Sequence, residues 1–261
     1  MNSELLTGLR NQQRIIFALL LREIITRYGR SGLGVLWLIL EPMMFTLGIA
    51  GLWYFAQLHM YSSIPIIAFA VTGYSSVLVW RNSANRCSRA IEVNLGLMYH
   101  RHVKVLDILL ARVLLEIAGG SASFAILTIC FVFTGLMSWP VDILYVLGGW
   151  ALLSWFAVSL GLVVGCLTEM SESLERVWHV MAYLLFPLSG AVFMVDWLPD
   201  SARSGVLLFP MVHGVEMVRA GFFGALVKTY EDPIYFSFIN LVQTLLGLFL
   251  TRHVASKVKP E

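Results

Sequence analysis

Ionisable side chains inside long apolar stretches are the groups in this sequence best placed to do chemistry. Glu41 stands before Pro42, about eight residues into such a stretch. A carboxylate in hydrocarbon costs about 2.5–3.5 kcal/mol, so Glu41 is expected either to line a polar path or to pair with an arginine of the preceding helix. Arg112 and Glu116 are four residues apart and are predicted to neutralise each other on one helix. A different hypothesis is an acid–base enzyme that uses Glu41, Glu116 or His213.

Several motifs of known chemistries are missing from the sequence. No lysine follows a glycine, so the phosphate-binding pattern G-x-x-x-x-G-K-[ST] cannot occur. The patterns H-E-x-x-H and G-x-S-x-G are missing too. Cys87, Cys130 and Cys166 have neither metal-ligand nor redox spacing. We therefore expect no cofactor or metal in this chain, and any nucleotide energy must come from a separate polypeptide.

The composition predicts that most of these residues face lipid or a buried core. Hydrophobic residues make up 58% of the chain and charged residues only 13%, with a mean hydropathy of +0.78. Soluble domains carry about a quarter charged residues. Six apolar stretches are each long enough to cross about 30 Å of hydrocarbon as a helix. We predict an all-α membrane protein, one transmembrane domain over 1–261, with spans at 33–57, 64–80, 106–136, 141–167, 177–195 and 233–251.

Two further segments are expected to lie at the membrane without crossing it. In residues 10–30, Phe17, Leu20 and Ile24 follow one helical stripe and charged residues occupy the other side. This pattern predicts an amphipathic interfacial helix in the plane of the headgroups. Residues 196–232 are interrupted by prolines and have only short apolar bursts. They are predicted to form two short helices that re-enter one leaflet before the last span.

The distribution of basic residues predicts the orientation. Of the 18 lysines and arginines, 15 are assigned to one side. This side holds the N-terminal helix, the 82–104 segment with its flanking Arg81 and Arg112, the loop after the fourth span and the C-terminal tail. Only Arg203, Arg219 and Lys228 fall on the other side. Because cytoplasmic loops carry the excess of basic residues, both termini should be cytoplasmic and 196–232 extracytoplasmic.

The segment 82–104 admits two interpretations. Arg86, Arg89 and Glu92 precede the apolar Leu95 and Leu97. One interpretation is a short cytoplasmic helix that docks on another subunit. The other is a solvated basic loop.

The order of these segments and three local patterns resemble the type-2 ABC exporter permeases. Residues 27–37, R-Y-G-R-S-G-L-G-V-L-W, followed by Glu41 and Pro42, resemble the start of that family's first span. Residues 101–116 resemble the R-x-V-K-x-L-D-x-x-x-A-R-x-x-x-E run of capsular polysaccharide export permeases, and residues 210–223 resemble their P-x-x-H-x-x-E-x-x-R segment. The resemblance covers essentially the whole chain.

This resemblance implies a machine with several subunits. Two copies of the chain would pair with two ATP-binding subunits, which supply ATP and Mg²⁺. The complex would move a lipid-linked acidic polysaccharide across a bacterial inner membrane towards a periplasmic adaptor and an outer-membrane pore, with no nucleic acid involved. The residues implied in coupling to the ATP-binding subunit are Arg89, Glu92, Asn94 and Leu95. Those implied in the substrate path or gate are Arg22, Arg27, Trp37, Glu41, Arg101, His213, Glu216 and Arg219.

Other functions stay open at this point. The same architecture could export O-antigen, teichoic acid or a small drug. An intramembrane enzyme acting on a lipid-linked sugar would turn over without ATP, and a purely structural scaffold would tolerate neutralisation of Glu41 and His213.

Overall fold

The computed structural model describes residues 2–28, 34–56, 64–100 and 103–257, and in these residues the regular structure is helical. The predicted all-α class is therefore confirmed. Short 3₁₀ turns at Val195–Trp197 and Gly224–Leu226 flank the re-entrant region. The α-helices are α1 (Asn2–Tyr28), α2 (Gly34–Phe55), α3 (Ile66–Cys87), α4 (Ala90–Val93), α5 (Leu95–His100), α6 (Val105–Phe133), α7 (Ile143–Met170), α8 (Glu172–Leu188), α9 (Asp200–Val206), α10 (Pro210–Phe223) and α11 (Pro233–Lys257).

Helix α7 is the centre of the bundle and packs against α3, α6, α10 and α11. Glycines allow these close approaches. A Cβ added at Gly161 would lie 2.6 Å from the Val113 side chain of α6, and one at Gly149 would lie 3.0 Å from the Val218 nitrogen of α10. Small residues at such contacts let helices approach where lipid supplies no hydrophobic driving force.

Helix α3 is buried along most of its length although it carries many hydroxyl groups. Those of Thr72, Ser76 and Ser83 donate to the carbonyl four residues earlier in the same helix, at 2.8, 2.6 and 2.7 Å. Such bonds satisfy polar side chains without a partner helix. The polar composition of α3 thus follows from its position inside the protein.

Four described helices are long and apolar enough to cross a membrane: α2 over Leu36–Phe55, α6, α7 and α11. A fifth is counted if α9 and the following helical segment, Pro210–Leu226, are taken as one broken span. The predicted spans at 64–80 and 177–195 do not meet this criterion. Helix α3 is too polar, and the 17 residues of α8 cover about 26 Å. The six-span arrangement stays a prediction.

Several helix ends differ from the boundaries of the predicted segments. In the segment predicted as a loop over 82–104, the described residues 82–100 are mostly helical, because α3 continues to Cys87 and α4 and α5 follow. The span placed at 177–195 corresponds to α8, which begins at Glu172 and ends at Leu188 before Gly190, where φ is +85°. The span placed at 106–136 ends at Phe133, two residues before Gly135 at φ +75°. Glycine tolerates this left-handed conformation, which ends a helix.

The two non-spanning segments are helical as predicted, but their membrane placement stays a prediction. Phe17 of the predicted stripe is exposed, as is Ile25, while Leu20 and Ile24 are partly buried, so the stripe is not buried as one face. A single apolar stripe is not confirmed. In 196–232 the two expected short helices are α9 and α10, and the chain bends by 107° between them.

Candidate functional site

A network of ion pairs joins four helices at the basic end of the bundle, where α3 and α7 end and α6 and α8 begin. Arg86 Nη2 of α3 lies 2.7 Å from Glu41 Oε1 of α2, and its Nε lies 3.4 Å from Glu116 Oε1 of α6. Arg112 of α6 lies 3.4 Å from Glu23 of α1. Arg112 Nη1 also donates to the Arg86 carbonyl at 2.7 Å. Arg112 and Glu116 therefore bond across helices instead of forming the predicted pair along α6, and Glu41 contacts α3.

Helix α1 is attached directly to the segment predicted to couple to another subunit. Arg22 Nη1 donates to Asn94 Oδ1 at 2.7 Å, and Asn94 Nδ2 donates to the Ala90 carbonyl at 2.8 Å. Gln12 Nε2 donates to Asp107 Oδ1 at 3.0 Å. Arg22 and Asn94, implied in different roles by the resemblance, thus share one contact.

Ion pairs of Arg89 stabilise the turn before α4. Arg89 adopts a left-handed conformation with φ 58°, and its Nε lies 2.9 Å from Glu92 Oε2 and 3.8 Å from Glu175 Oε1 of α8. The hydrogen bond and charge of Arg89 lower the pKa of Glu92 below its usual value. A cleft of about 460 Å³ opens beside this turn, lined by Thr168, two arginines and four glutamates. The cleft therefore carries a net acidic charge.

Apolar side chains are exposed next to this cleft. Ala90 and Ile91 of α4 are fully buried, whereas Val93 is 67% exposed and Leu95 is 41% exposed. The buried pair fixes α4 on the bundle, and the exposed pair projects from it. The described part of this segment is therefore helical and keeps apolar side chains at its surface.

At the opposite end of the bundle, His213 of α10 joins two chain segments. Its Nε2 lies 2.8 Å from the Leu207 carbonyl, and its Nδ1 accepts from the Asp232 backbone N–H at 2.9 Å. Because Nδ1 accepts, the ring proton sits on Nε2 and is donated to Leu207. His213 therefore ties the α9–α10 turn to the start of α11.

Glu216 and Arg219 of α10 are both fully buried and hold neighbouring loops. Glu216 accepts from the backbone N–H groups of Val195 at 3.4 Å and Tyr230 at 3.3 Å. Arg219 donates to the carbonyls of Gly190, Ala191 and Phe193 at 2.6, 2.9 and 2.6 Å. It also stacks 3.9 Å from the centre of the Phe69 ring. These residues are thus internal braces of the 190–232 region, not an exposed pair.

A row of aromatic rings runs between α2, α3 and α8. The centre of the Tyr74 ring lies 5.4 Å from that of Phe186 and 5.5 Å from that of Trp53. Phe69 lies 6.0 Å from Trp53 and 5.2 Å from Trp197. We call these five residues the aromatic row. It extends from α8 to the 3₁₀ turn before α9.

Comparison with known proteins shows the family to which this chain belongs. The family model described as "ABC-2 type transporter" matches residues 14–223, which contain the charge network, α4–α5 and α10. The chain belongs to the ABC-2 type transporter family. ABC-2 permeases are transport subunits, so the interpretation as an enzyme is set aside.

Relatives of this ABC-2 permease match nearly its whole length. It is 44% identical over 96% of its residues to the capsule polysaccharide export inner-membrane protein CtrC of Neisseria meningitidis, covering 94% of that protein. It is 40% identical, with the same coverage, to the capsule polysaccharide export inner-membrane protein BexB of Haemophilus influenzae. It is 28% identical to the polysialic acid transport protein KpsM of Escherichia coli, over 94% of this chain and 95% of KpsM.

The ABC-2 fold brings some of the predicted site residues together and separates others. Arg22 lies with Asn94 at the basic end, whereas His213, Glu216 and Arg219 lie at the other end. Trp37 is 47% exposed on α2. The Arg27 side chain and all of Arg101 lie outside the described residues.

Two residues that are central to the ion-pair network were not predicted as site residues. Arg86 was assigned to topology and to the 82–104 segment, yet it bridges Glu41 and Glu116. Glu23 was treated as part of a polar helix face, yet it pairs with Arg112. The sequence indicated only that a buried charge needs an opposite charge nearby. It did not identify which residue supplies that opposite charge.

Proposed function

We propose that this chain is the transmembrane subunit of an ATP-driven exporter that moves a lipid-linked capsular polysaccharide across a bacterial inner membrane. The observation that carries the proposal is the 44% identity to CtrC, a capsule polysaccharide export inner-membrane protein, over 96% of the chain. The whole chain is proposed to be one transmembrane domain, with both termini in the cytoplasm. The 15-to-3 division of basic residues supports that orientation.

The ATP-binding subunit is proposed to dock on α4 and α5. Exposed Val93 and Leu95 supply apolar contact area, and the neighbouring cleft supplies charge. Four glutamates against two arginines give the cleft a net charge of −2, which favours a basic partner surface. The Arg22–Asn94 bond would carry movement of this docking unit into α1. ATP and Mg²⁺ would be held by the partner.

The assembly is proposed to contain two copies of this chain and two ATP-binding subunits, with a periplasmic adaptor and an outer-membrane pore beyond them. Helices α2 and α8 leave large apolar side chains exposed, among them Phe55 at 83% and Tyr183 at 70%. Either lipid or a second copy can cover such side chains. A lipid-linked polymer needs a wide, laterally open groove, which we place between the two copies.

The path and the gate are proposed to use different ends of the bundle. Arg22, Arg27, Trp37 and Arg101 would guide the anionic headgroup at the cytoplasmic entrance, and Glu41 would hold the helices around it through Arg86. The 196–232 segment would re-enter the outer leaflet. There His213 and Glu216 would keep the outer gate closed by holding the backbone of 230–232.

Deletion of the gene in its native cell tests the proposed function. Surface polysaccharide should fall at least tenfold while polysaccharide accumulates inside, measured by antibody or lectin labelling before and after permeabilisation. Re-expression of the wild-type chain should restore the surface polymer. Normal capsule in the deletion strain would refute the proposal.

The alternative function is export of another molecule by a transporter of the same architecture. If capsule is normal while O-antigen, teichoic acid or resistance to a small drug is lost, that molecule is the substrate. Affinity purification of the chain should recover an ATP-binding subunit under either version, because the chain lacks the phosphate-binding loop motif.

A further inference from the structure

Arg81 of α3 differs from the other arginines that face the bundle. Arg86, Arg112 and Arg219 each contact carboxylates or backbone carbonyls. Within the described part of the chain Arg81 forms no ion pair. Its Nε is buried without a hydrogen-bond partner, as are those of Arg112 and Arg219, so the missing contacts of its Nη groups are what set Arg81 apart. A guanidinium has five N–H donors, so most of its hydrogen-bonding capacity is unused.

Two aromatic rings of α8 hold the Arg81 guanidinium in place. Its Cζ lies 5.0 Å from the centre of the Tyr183 ring and 5.2 Å from that of Phe186. The faces of these rings attract the cation and orient it, but they offer no acceptor in the plane of its N–H groups. The charge is therefore positioned while the donors of its two Nη groups, unlike the buried Nε, stay available.

A ligand can reach this site from the side of the bundle. Tyr183 is 70% exposed, Phe45 across from Phe186 is 41% exposed, and Arg81 is only partly buried. Arg81 lies six residues before the end of α3, which is about 9 Å along the helix from the basic end. An arginine at that depth in a membrane protein is costly, and such residues mark substrate or ion pathways.

We propose that Arg81, positioned by Tyr183 and Phe186, binds an anionic group of the transported molecule, a phosphate or a carboxylate. The planar guanidinium matches either group through two parallel N–H···O bonds. The inference rests on the proposed export function, because it takes the ligand to be the exported molecule. Phosphate would come from a lipid headgroup and carboxylate from an acidic sugar.

The test uses the purified complex of this chain with its ATP-binding subunit in detergent. Two probes distinguish the sources: phosphatidylglycerol, counted by native mass spectrometry, and an oligogalacturonate, titrated by calorimetry. Arg81→Gln should weaken binding of at least one probe roughly tenfold or more. Arg81→Lys should lie between the two, since an ammonium keeps the charge without the bidentate fork. Arg252→Gln, an exposed arginine of α11, is the matched control and should leave both affinities unchanged.

A second variant keeps the proposal testable if Arg81→Gln does not fold. Tyr183→Leu removes one ring at an exposed position and should weaken the same probe about two- to fivefold, whereas Tyr183→Phe should not. Loss of phosphatidylglycerol binding alone assigns a lipid phosphate, and loss of oligogalacturonate binding alone assigns an acidic sugar. Unchanged affinity for both probes in the Arg81 and Tyr183 variants would overturn the proposal.

Two further outcomes have a defined meaning. One would show that Arg81 contacts a second copy of the chain instead of an anion, and the other would refute the export function without refuting the anion site. If Arg81→Gln abolishes self-association while both probes bind normally, Arg81 contacts a second copy and the inference fails. Probe binding does not require export. Weakened binding together with normal capsule in the deletion strain would therefore refute the proposed function and leave the anion site standing.

Discussion

At the residue scale, the buried charges of α10 act as braces. Arg219 is fully buried, yet three backbone carbonyls and one aromatic face surround its guanidinium. Glu216 lies on the same helix and accepts from two backbone N–H groups. Each charge is thus bonded to the backbone of the loops that it joins and interacts with the other charge, so the order of those loops depends on these side chains.

Replacement of Arg219 by glutamine should therefore destabilise the protein strongly. A glutamine amide has only two N–H groups, so at least one of the three bonds to the 190–193 carbonyls is lost, and the buried Glu216 loses the nearby positive charge of Arg219. Removing one partner of a buried charge pair costs about 3–5 kcal/mol. The measurement is the free energy of unfolding of the detergent-solubilised protein. Arg252→Gln makes the same chemical change at an exposed position and should cost less than about 1 kcal/mol. Equal effects of the two substitutions would contradict the role of Arg219 as a brace.

At the element scale, α3 and α10 can approach only because of a glycine. A Cβ on Gly73 would lie 2.5 Å from Arg219 Nη2 and 2.6 Å from the Ala191 carbonyl oxygen. The carbonyl belongs to the loop that Arg219 holds, so neither atom can move away without breaking a hydrogen bond. Gly48 of α2, by contrast, has nothing within 4 Å of an added Cβ.

Gly73→Ala and Gly48→Ala should consequently shift stability in opposite directions. Overpacking at Gly73 should cost about 1–3 kcal/mol. Alanine at Gly48 should be neutral or stabilise by up to about 1 kcal/mol, because alanine is the better helix former. Thermal unfolding of both variants in the same detergent measures the difference. A Gly73→Ala protein as stable as wild type would show that α3 and α10 do not pack this closely.

The α4–α5 unit gives a second expectation for an element. Substitution of Arg89, Glu92 and Leu95 together by alanine should leave the amount of protein in the membrane unchanged, since these side chains are largely exposed. Association with the ATP-binding subunit should fall at least tenfold, or export should stop while ATP hydrolysis continues. Pull-down, ATPase and surface-polysaccharide assays distinguish these outcomes. Normal export by the triple variant would show that this segment is only a solvated connector.

At the scale of the whole molecule, the two ends of the bundle differ in chemistry. The basic end carries the ion-pair network and the acidic cleft, and the other end carries loops whose backbone is hydrogen-bonded to side chains of α10. A permease needs such asymmetry, because entry and release occur on opposite sides of the membrane. The orientation proposed from the basic residues makes this asymmetry measurable.

Cysteine labelling tests that orientation. In a Cys130→Ala background, which removes the exposed native thiol, Trp139→Cys should react with an impermeant maleimide added to intact cells. Ser173→Cys, at an exposed position on α8, should react only after the cells are opened. Cys87 and Cys166 are buried and should stay unlabelled. Labelling of position 173 in intact cells would reverse the topology and remove the docking role of α4 and α5.

The sequence by itself determined the class of protein and the composition of its parts. Hydrophobicity is a local property, so the long apolar helices, the broken 196–232 segment and the missing phosphate-binding loop motif could all be recognised from residues close together in the chain. The family resemblance rested on local patterns for the same reason. The comparisons confirmed it.

Only the tertiary structure decided which groups meet. Arg86 reaches Glu41 and Glu116 because α3 lies between α2 and α6, and Arg219 reaches 190–193 because Gly73 lets α10 approach α3. Spacing along one helix suggested the pair Arg112–Glu116. In the structure Arg112 pairs with Glu23 of α1 and Glu116 with Arg86 of α3. The long apolar helices of a membrane bundle resemble one another in sequence, and the order in which they pack depends on close contacts between residues far apart in the chain.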